Sequence, residues 1–199
     1  LGDFPESFSG LRRLTGLSDL ALAKTLKKLL EMKVIEHTLD GRYKLRAGQG
    51  AQLATYLKPF YSDYFTKKAK LVAEGLARFD EVLAVVLFGS TAQGRAAHDS
   101  DIDLLVVLKD RDGTLEEQID RLVSEMCTKF NLPFEHVYLS LEGLKAVVER
   151  EYRFLFGLVE GYRCLLDRAG INLLLAGKKK EIEEKYEYHP EVPMWLLKK

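Results

Sequence analysis

The sequence has little of several features that mark specialised classes of protein. Cysteine occurs twice in 199 residues, as Cys127 and Cys164, and both lie in apolar helical patterns without the spacing of a metal site. They predict reduced, buried thiols rather than disulfides. No apolar run approaches the ~20 residues of a membrane-spanning helix, and no signal peptide is evident. We therefore expect a cytoplasmic protein with no membrane partner.

An excess of charge of one sign is also missing. Lys plus Arg equals Asp plus Glu at 30 each, so net charge gives no argument for nucleic acid, although local charge can still provide one. The composition is 47% hydrophobic and 30% charged, which is typical of a soluble globular protein. A chain of 199 residues allows one ample domain or two small ones. It opens on Leu1 rather than methionine, so we expect residues to precede it.

The most informative stretch is VVLFGSTAQGRAAHDSDIDLLVV, residues 85–107. It predicts a buried strand, a turn, a short helix, a polar loop and a second buried strand. Side chains alternate along a strand, so Asp101 and Asp103 share one face while Ile102 points into the core. Two adjacent carboxylates repel each other unless one is protonated or a cation lies between them. Magnesium is the natural occupant because it prefers oxygen ligands and substrate phosphates.

The first of these strands, residues 81–88, ends at Gly89 and Ser90. A helix beginning there would turn its free backbone N–H groups outward, and a glycine lets a phosphate approach the backbone closely. Neighbouring strands would then carry a phosphate cradle and a metal-binding pair. The alternative is an ordinary strand–loop–strand unit whose aspartates cap a loop.

These residues resemble the motif of the DNA polymerase β-like nucleotidyltransferases, particularly the minimal nucleotidyltransferases of prokaryotes. The resemblance rests on Gly89-Ser90, Gly94 and Asp101-Ile102-Asp103, with eleven positions from Ser90 to Asp101. It implies an α/β (α+β) fold whose mixed sheet is flanked by helices. It also implies transfer of a nucleoside monophosphate from an NTP, most commonly ATP, to an acceptor hydroxyl. Two Mg²⁺ ions would be held by Asp101 and Asp103.

The resemblance further implies a third carboxylate on the next strand, and Glu135 is the single acid in Phe134–Ser140. There it would complete the metal site and act as general base. A register slip of one residue would present His136 instead, and the alternative role for Glu135 is a solvated strand residue. The nucleotide phosphates would be held by Gly89, Ser90 and Arg95.

The first 48 residues predict two helices followed by a hairpin. Apolar spacing predicts helices within 5–16 and from Ser18 or Asp19 to about Met32. Strands at 34–38 and 42–46 flank Asp40-Gly41, which is a strong hairpin signal. This order resembles the winged helix-turn-helix domains of prokaryotic regulators and implies double-stranded DNA as a partner. The DNA-contacting residues would be Lys24, Lys27 and Lys28 on the second helix and Arg42, Lys44 and Arg46 on the wing.

Another interpretation of those lysines is a solvated face on a module that serves dimerisation or protein contact. The second helix offers no Asn, Gln or Arg for reading base edges.

The remaining patterns complete the predicted organisation: a winged helix at 1–48, linker helices at 49–80, a nucleotidyltransferase core at 81–142 and a C-terminal helical extension at 143–199. Pro59 should kink or divide the linker helix. The aromatic residues around it favour core packing over base stacking. They are Tyr56, Phe60, Tyr61, Tyr64 and Phe65. Residues 141–167 read as one continuing helix and Ile171–Lys185 as another, with an irregular apolar end after His189.

Two functions fit these patterns. One is an active, metal-dependent nucleotidyltransferase, linked to DNA through the winged helix. The other is a transcriptional regulator or antitoxin-like protein that uses the fold to sense nucleotide or to dimerise. The intact motif favours the enzyme, because a purely structural descendant would not need it. Acceptors in the family that the sequence resembles include antibiotics, proteins, RNA ends and toxins, so a protein acceptor is compatible with the sequence. The winged helix and the long apolar helices are compatible with a homodimer.

Overall fold

The computed structural model describes residues 5–46, 50–97, 99–189 and 194–198, without the side chains of Leu14 and of residues 50–59. The chain forms two compact units, Leu1–Leu57 and Lys58–Lys199. Within the described ranges, no helix is both long enough and apolar enough to cross a membrane.

The N-terminal unit contains two helices and a hairpin in the predicted order. These elements are α1 (Phe8–Thr15), α2 (Asp19–Glu31), β1 (Ile35–His37) and β2 (Tyr43–Leu45). Ser7 and Ser18 cap the two helices by accepting backbone N–H groups, and Gly16 ends α1 in the left-handed conformation. The hairpin is antiparallel. A small apolar core lies beneath, formed by Leu11, Leu22, Leu26, Val34 and Ile35.

The next element, α3, is a single helix spanning Gly50–Leu76. The helix is therefore not divided at Pro59, which rules out one of the two predicted effects of the proline. Proline removes one backbone hydrogen bond, but helices gain most of their stability from tertiary packing, and the turns after Pro59 bury Phe65, Val72 and Leu76 completely or nearly so.

The aromatic residues around Pro59 are not all packed in the core. Phe65 is buried in the core and Tyr61 packs partly against it, whereas Phe60 and Tyr64 are 58% and 45% exposed. The side chain of Tyr56 lies outside the described residues. Core packing thus accounts for only part of this cluster.

The C-terminal unit is built on a four-stranded mixed sheet in the order β5–β4–β3–β6. Its strands are β3 (Val82–Phe88), β4 (Ile102–Leu108), β5 (Phe134–Ser140) and β6 (Arg163–Asp167). Strands β4 and β5 are parallel and are joined through α5 (Gly113–Phe130), whereas β3 pairs antiparallel with both of its neighbours. The mixed α/β sheet flanked by helices confirms the predicted fold class.

Helices cover both faces of the sheet, which explains why β3 and β4 are almost uninterruptedly apolar. One face packs on α3 and α5. The other face packs on α6 (Leu141–Glu149), α7 (Arg153–Glu160) and α8 (Ile171–Lys185). Between β3 and β4 lies the short helix α4 (Gly89–Ala92).

The prediction of one continuing helix over residues 141–167 is wrong. The chain breaks after α6, where Glu151 has a φ of 50°, and after α7 it enters β6, which pairs with β3. Cys164 therefore lies on a strand, opposite Val86. The apolar run at 164–166 is too short to be distinguished from a helical segment by periodicity alone. The segment 143–199 is accordingly not a purely helical extension.

The chain end is also more regular than predicted. Strands β7 (Tyr186–His189) and β8 (Met194–Leu197) form an antiparallel hairpin behind α8.

Asp167, at the end of β6, anchors the start of α8. Its carboxylate accepts the backbone N–H groups of Ala169 at 3.2 Å, Ile171 at 2.9 Å and Asn172 at 2.9 Å. Burial acts to raise the pKa of Asp167, but these backbone donors outweigh it, so the pKa is lowered. The ionised carboxylate is therefore the form that stabilises the fold.

We predict that Asp167→Ala lowers the free energy of unfolding by about 1 kcal/mol at neutral pH, as for the loss of a helix cap. Because the folded-state pKa lies below the unfolded value, this stabilisation is present above about pH 4 and is lost as the pH falls through the folded pKa. Urea unfolding of the wild type and the variant across pH 2.5 to 7 measures the gap between their free energies of unfolding. Asp110→Ala, which changes an exposed aspartate just after β4, is the control. A gap that stays constant down to acid pH would contradict the assignment.

Candidate active site

The candidate site lies where β3 ends and β4 begins. Their register places Phe88 opposite Asp103, so Gly89 starts α4 beside the Asp103 carboxylate. Gly89 has a φ of 68°, and a Cβ atom there would lie 2.0 Å from Asp103 Oδ2. Both the backbone conformation and the neighbouring carboxylate therefore exclude a side chain at this position.

The third carboxylate is placed by the pairing of β4 with β5. Asp103 and Glu135 are register partners on adjacent parallel strands, so their side chains project from the same face of the sheet. His136 pairs with Leu104 and turns to the other face, where its Nε2 lies 2.6 Å from Asp120 Oδ1. Of the two alternatives for this strand, the structure brings Glu135 beside Asp103.

The electrostatics of Asp103 reflect its burial and its two acidic neighbours. Burial, followed by the negative charges of Glu135 and Asp101, raises the pKa of Asp103 to about 6. Asp101 immediately precedes β4 and, like Glu135, is exposed. The site therefore combines one half-buried carboxylate with two carboxylates that face solvent.

Within the described residues, no three His, Cys, Asp or Glu side chains converge closely enough to form a ready-made metal site. Magnesium does not need one, since one or two protein carboxylates usually hold it together with phosphate oxygens and water. A cation would also relieve the repulsion that raises the pKa of Asp103. Asp101 and Asp103 therefore fit a magnesium ion by the hardness and charge of their oxygen atoms.

The loop between α4 and β4 is fixed to the body of the unit. Gly94, with a φ of 75°, turns the chain after α4, and the backbone N–H of Arg95 donates to the Ser90 carbonyl at 2.9 Å. The next amide, that of Ala96, donates to the buried Ser62 hydroxyl of α3 at 3.0 Å. Helix α3 thus holds the loop that connects the glycine turn to the aspartates.

The side chain of Arg95 is held by residues from α7 and β7. Its Nη2 donates to Glu160 Oε1 at the end of α7 at 2.6 Å, and also to Gln93 Oε1. The Tyr188 hydroxyl donates to the same Glu160 oxygen at 2.5 Å. The pKa of Arg95 is raised first by its contact with Tyr188 and then, against the cost of burial, by Glu160.

Three of these supporting residues have no signal in the sequence. They are Ser62, Glu160 and Tyr188. Arg95 and Glu160 are separated by 65 positions, and no local motif links them.

The predicted DNA-contacting lysines lie on the outer face of α2. Lys24, Lys27 and Lys28 are all exposed, whereas Leu22 and Leu26 on the opposite face are buried.

The basic residues of the hairpin have acidic partners nearby. Arg42 lies 3.1 Å from Asp40, and both Lys44 and Arg46 pair with Glu36, at 3.0 and 3.3 Å. The positive charge of the hairpin is thus largely balanced within the hairpin itself, in contrast to that of α2.

Gly89 and Gly94 differ in what an added side chain would meet, so we predict that alanine costs different amounts of stability at the two positions. Gly89→Ala should cost more than Gly94→Ala, although both glycines have positive φ, because nothing lies within 4 Å of a Cβ at Gly94. We expect a loss of about 1–2 kcal/mol at Gly94 from the left-handed conformation alone. A further loss of about 1–3 kcal/mol is expected at Gly89 from crowding against Asp103. Urea unfolding of the two variants measures the difference.

The matched control for this pair is Gly89→Ala combined with Asp103→Ala, which removes the crowding oxygen. In that background the extra cost at Gly89 should disappear. Equal stability of the two single variants would show that Gly89 and Asp103 are not in contact.

Residues 70–150 match the family model described as polymerase beta, nucleotidyltransferase, and this range contains Gly89, Asp101, Asp103 and Glu135. Among curated proteins, no sequence matches the chain significantly.

Twelve solved chains match the structure. One belongs to a toxin–antitoxin structure with AMP-PNP, at 19% identity and a TM-score of 0.41, covering 59% of this chain and 86% of that one. Another belongs to the tri-AMPylated Shewanella oneidensis HEPN toxin in complex with the MNT antitoxin, at 16% identity and a TM-score of 0.36, covering 58% and 87%. Likeness at these scores assigns no function.

Proposed function

We propose that this protein, in which residues 70–150 form a nucleotidyltransferase domain, transfers a nucleoside monophosphate from an NTP to an acceptor hydroxyl and releases pyrophosphate. ATP is the proposed donor. One observation carries the proposal: Asp103 lies against the side-chain-free Gly89 and is the register partner of Glu135. This contact supports a site in which a turn that accepts phosphate would lie beside a group of carboxylates.

The triphosphate would be held at the end of β3. The Asp103 carboxylate occupies the space where a Cβ of Gly89 would stand, so the phosphates would bind to backbone N–H groups of the turn and to the Ser90 hydroxyl. The side chain of Arg95 is half exposed and its backbone N–H donates to the Ser90 carbonyl, so its permanent positive charge would assist in holding the phosphates. Together these groups would bind and orient the β and γ phosphates.

The carboxylates would act on the acceptor side. Asp101 and Asp103 would hold magnesium, which neutralises charge on the triphosphate and lowers the pKa of the acceptor hydroxyl. Glu135 is exposed and would accept the proton of that hydroxyl as general base. Since β5 is an edge strand of the sheet, an acceptor can reach Glu135 from solvent.

We predict that ATP binds the wild-type protein in a magnesium-dependent manner and that Asp101→Asn combined with Asp103→Asn abolishes this dependence. The reason is that the amides keep the shape of the site but remove the charge that attracts the cation. Titration calorimetry of ATP with magnesium and with EDTA measures both effects.

Asp110→Asn, at the far end of β4, is the matched control and should bind like the wild type. Equal magnesium dependence in the doubly substituted protein would contradict the assignment of the aspartates. Failure of the wild type to bind any of the four NTPs would contradict the proposed transfer itself.

A second proposed function concerns the N-terminal unit, which we propose to be a winged-helix module that contacts double-stranded DNA. The outward face of α2 supports it, since Lys24 and Lys28 have no ion-pair partner among the described residues and Lys27 has only a distant one, 4.0 Å away. Because the hairpin charges are internally paired, α2 would provide most of the phosphate contacts. Lysines neutralise phosphates without selecting a base sequence, so they supply affinity more than specificity.

We predict that this DNA affinity falls steeply with salt and that Lys24→Ala combined with Lys28→Ala reduces the slope of log K against log salt by about 2, near 0.9 for each lost phosphate contact. A gel-shift series in salt, on DNA from upstream of the coding region, measures it. Lys145→Ala, on α6, serves as control and should leave the slope unchanged. Unshifted DNA at low salt would overturn the second function.

A further inference from the structure

We propose that Glu160 and Tyr188 are positioning residues for the nucleotide, acting by holding Arg95 in place beside the glycine turn. This inference rests on the proposed nucleotidyl transfer and extends it to residues at the end of α7 and on the C-terminal hairpin.

The end of α7 lies in direct contact with the loop that carries Arg95. A Cβ atom on Gly161 would lie 2.5 Å from the Cγ of Gln93 and 3.5 Å from its Cα. The backbone of Gly161 is extended, a conformation that any residue can adopt. Its lack of a side chain therefore matters because it lets the end of α7 approach Gln93 closely. The approach brings the Glu160 carboxylate within 2.6 Å of Arg95 Nη2.

Glu160 is placed to orient the guanidinium group. Its side chain is 16% exposed, whereas that of Arg95 is 50% exposed. A largely buried carboxylate requires donors, and it receives them from Arg95 on one side and from the Tyr188 hydroxyl on the other. The arginine is thus tied down at Nη2, while half of its surface can meet an anionic ligand.

Tyr188 is itself held by the hairpin. Its ring centroid lies 5.5 Å from that of Trp195 on β8, and the hairpin is tied to α8 by the backbone N–H of Lys198, which donates to the Lys185 carbonyl at 2.9 Å. The chain of contacts therefore runs from α8 through the hairpin and Glu160 to Arg95.

The restraint matters because the surroundings leave Arg95 room to move. A cavity of about 330 Å³ opens beside Arg95, Glu160, Tyr188 and Trp195. Arginine has many rotamers, and freezing them on binding costs affinity. A guanidinium group that is already oriented avoids part of that cost, so the Tyr188–Glu160 pair should strengthen NTP binding without touching the nucleotide.

The test is a double-substitution cycle on ATP affinity. Titration calorimetry with magnesium is performed on four proteins: wild type, Tyr188→Phe, Arg95→Ala and the combination of the two. Loss of one such hydrogen bond is expected to weaken ATP binding about three- to tenfold in the wild-type background. In the Arg95→Ala background, the same removal of the hydroxyl should have no further effect, because it acts through Arg95.

Tyr186→Phe is the matched control, since that hydroxyl lies on the same strand but contacts Glu151, at 3.4 Å. It should bind ATP like the wild type. Glu160→Gln, which keeps the size of the side chain and removes its charge, should weaken binding at least as much as Tyr188→Phe, and again only when Arg95 is present.

The outcomes separate this inference from the proposed transfer. If the wild type binds ATP and Tyr188→Phe binds it equally well, the positioning role is overturned while the transfer stands. Equal losses in both backgrounds would show that Tyr188 acts on the fold and not through Arg95, which also overturns it. A wild type that binds no NTP overturns both.

Discussion

The pairing of Phe88 with Asp103 is the constraint on which the rest of the site depends. It is fixed by the apolar pattern of β4, in which Ile102 and Leu104 enter one core and Leu105 enters the other. A slip of one residue would bury Asp103 among apolar side chains and expose its neighbours, so the hydrophobic effect that folds the sheet also sets the position of the carboxylate. Gly89 then completes the contact, because the space above its backbone is taken by Asp103.

This arrangement is electrostatically unfavourable in the protein alone. Burial and two neighbouring acids raise the pKa of Asp103 to about 6, so the fold maintains a carboxylate that is costly to ionise. Nothing in the packing of the sheet requires an acid there, since leucine and valine occupy the following positions of the same face. An unfavourable group of charges held in place by a rigid core is what a site for a cation and a polyphosphate requires. The electrostatic cost and the proposed function therefore have the same origin.

Local patterns in the sequence predicted the part of the site that local structure builds. The strand–turn–strand unit and β5 follow from periodicity and glycine placement, and the observed sheet contains these strands. Glu135 could be named but not placed, because its register against Asp103 depends on strand pairing. The features that were not predicted depend on contacts between residues distant in sequence. Strand β6 looks helical until it pairs with β3, and the partner of Arg95 lies 65 positions away. Pro59 does not divide α3 for a related reason, since packing beyond it preserves the helix.

The C-terminal segment is therefore an integral part of the sheet and not an appended extension. By adding β6 beside β3, it covers the outer edge of the strand that leads into the glycine turn. The same segment supplies α7, whose end contacts Gln93 and Arg95, and the hairpin that supports Glu160 through Tyr188. The two halves of the proposed site are thus supported from different directions: the aspartates by the apolar pattern of β4, and the arginine by elements that follow the third strand. Because Leu105 of β4 lies in the same apolar core as Leu155 and Leu158 of α7, the C-terminal elements also contribute to the support of the aspartates.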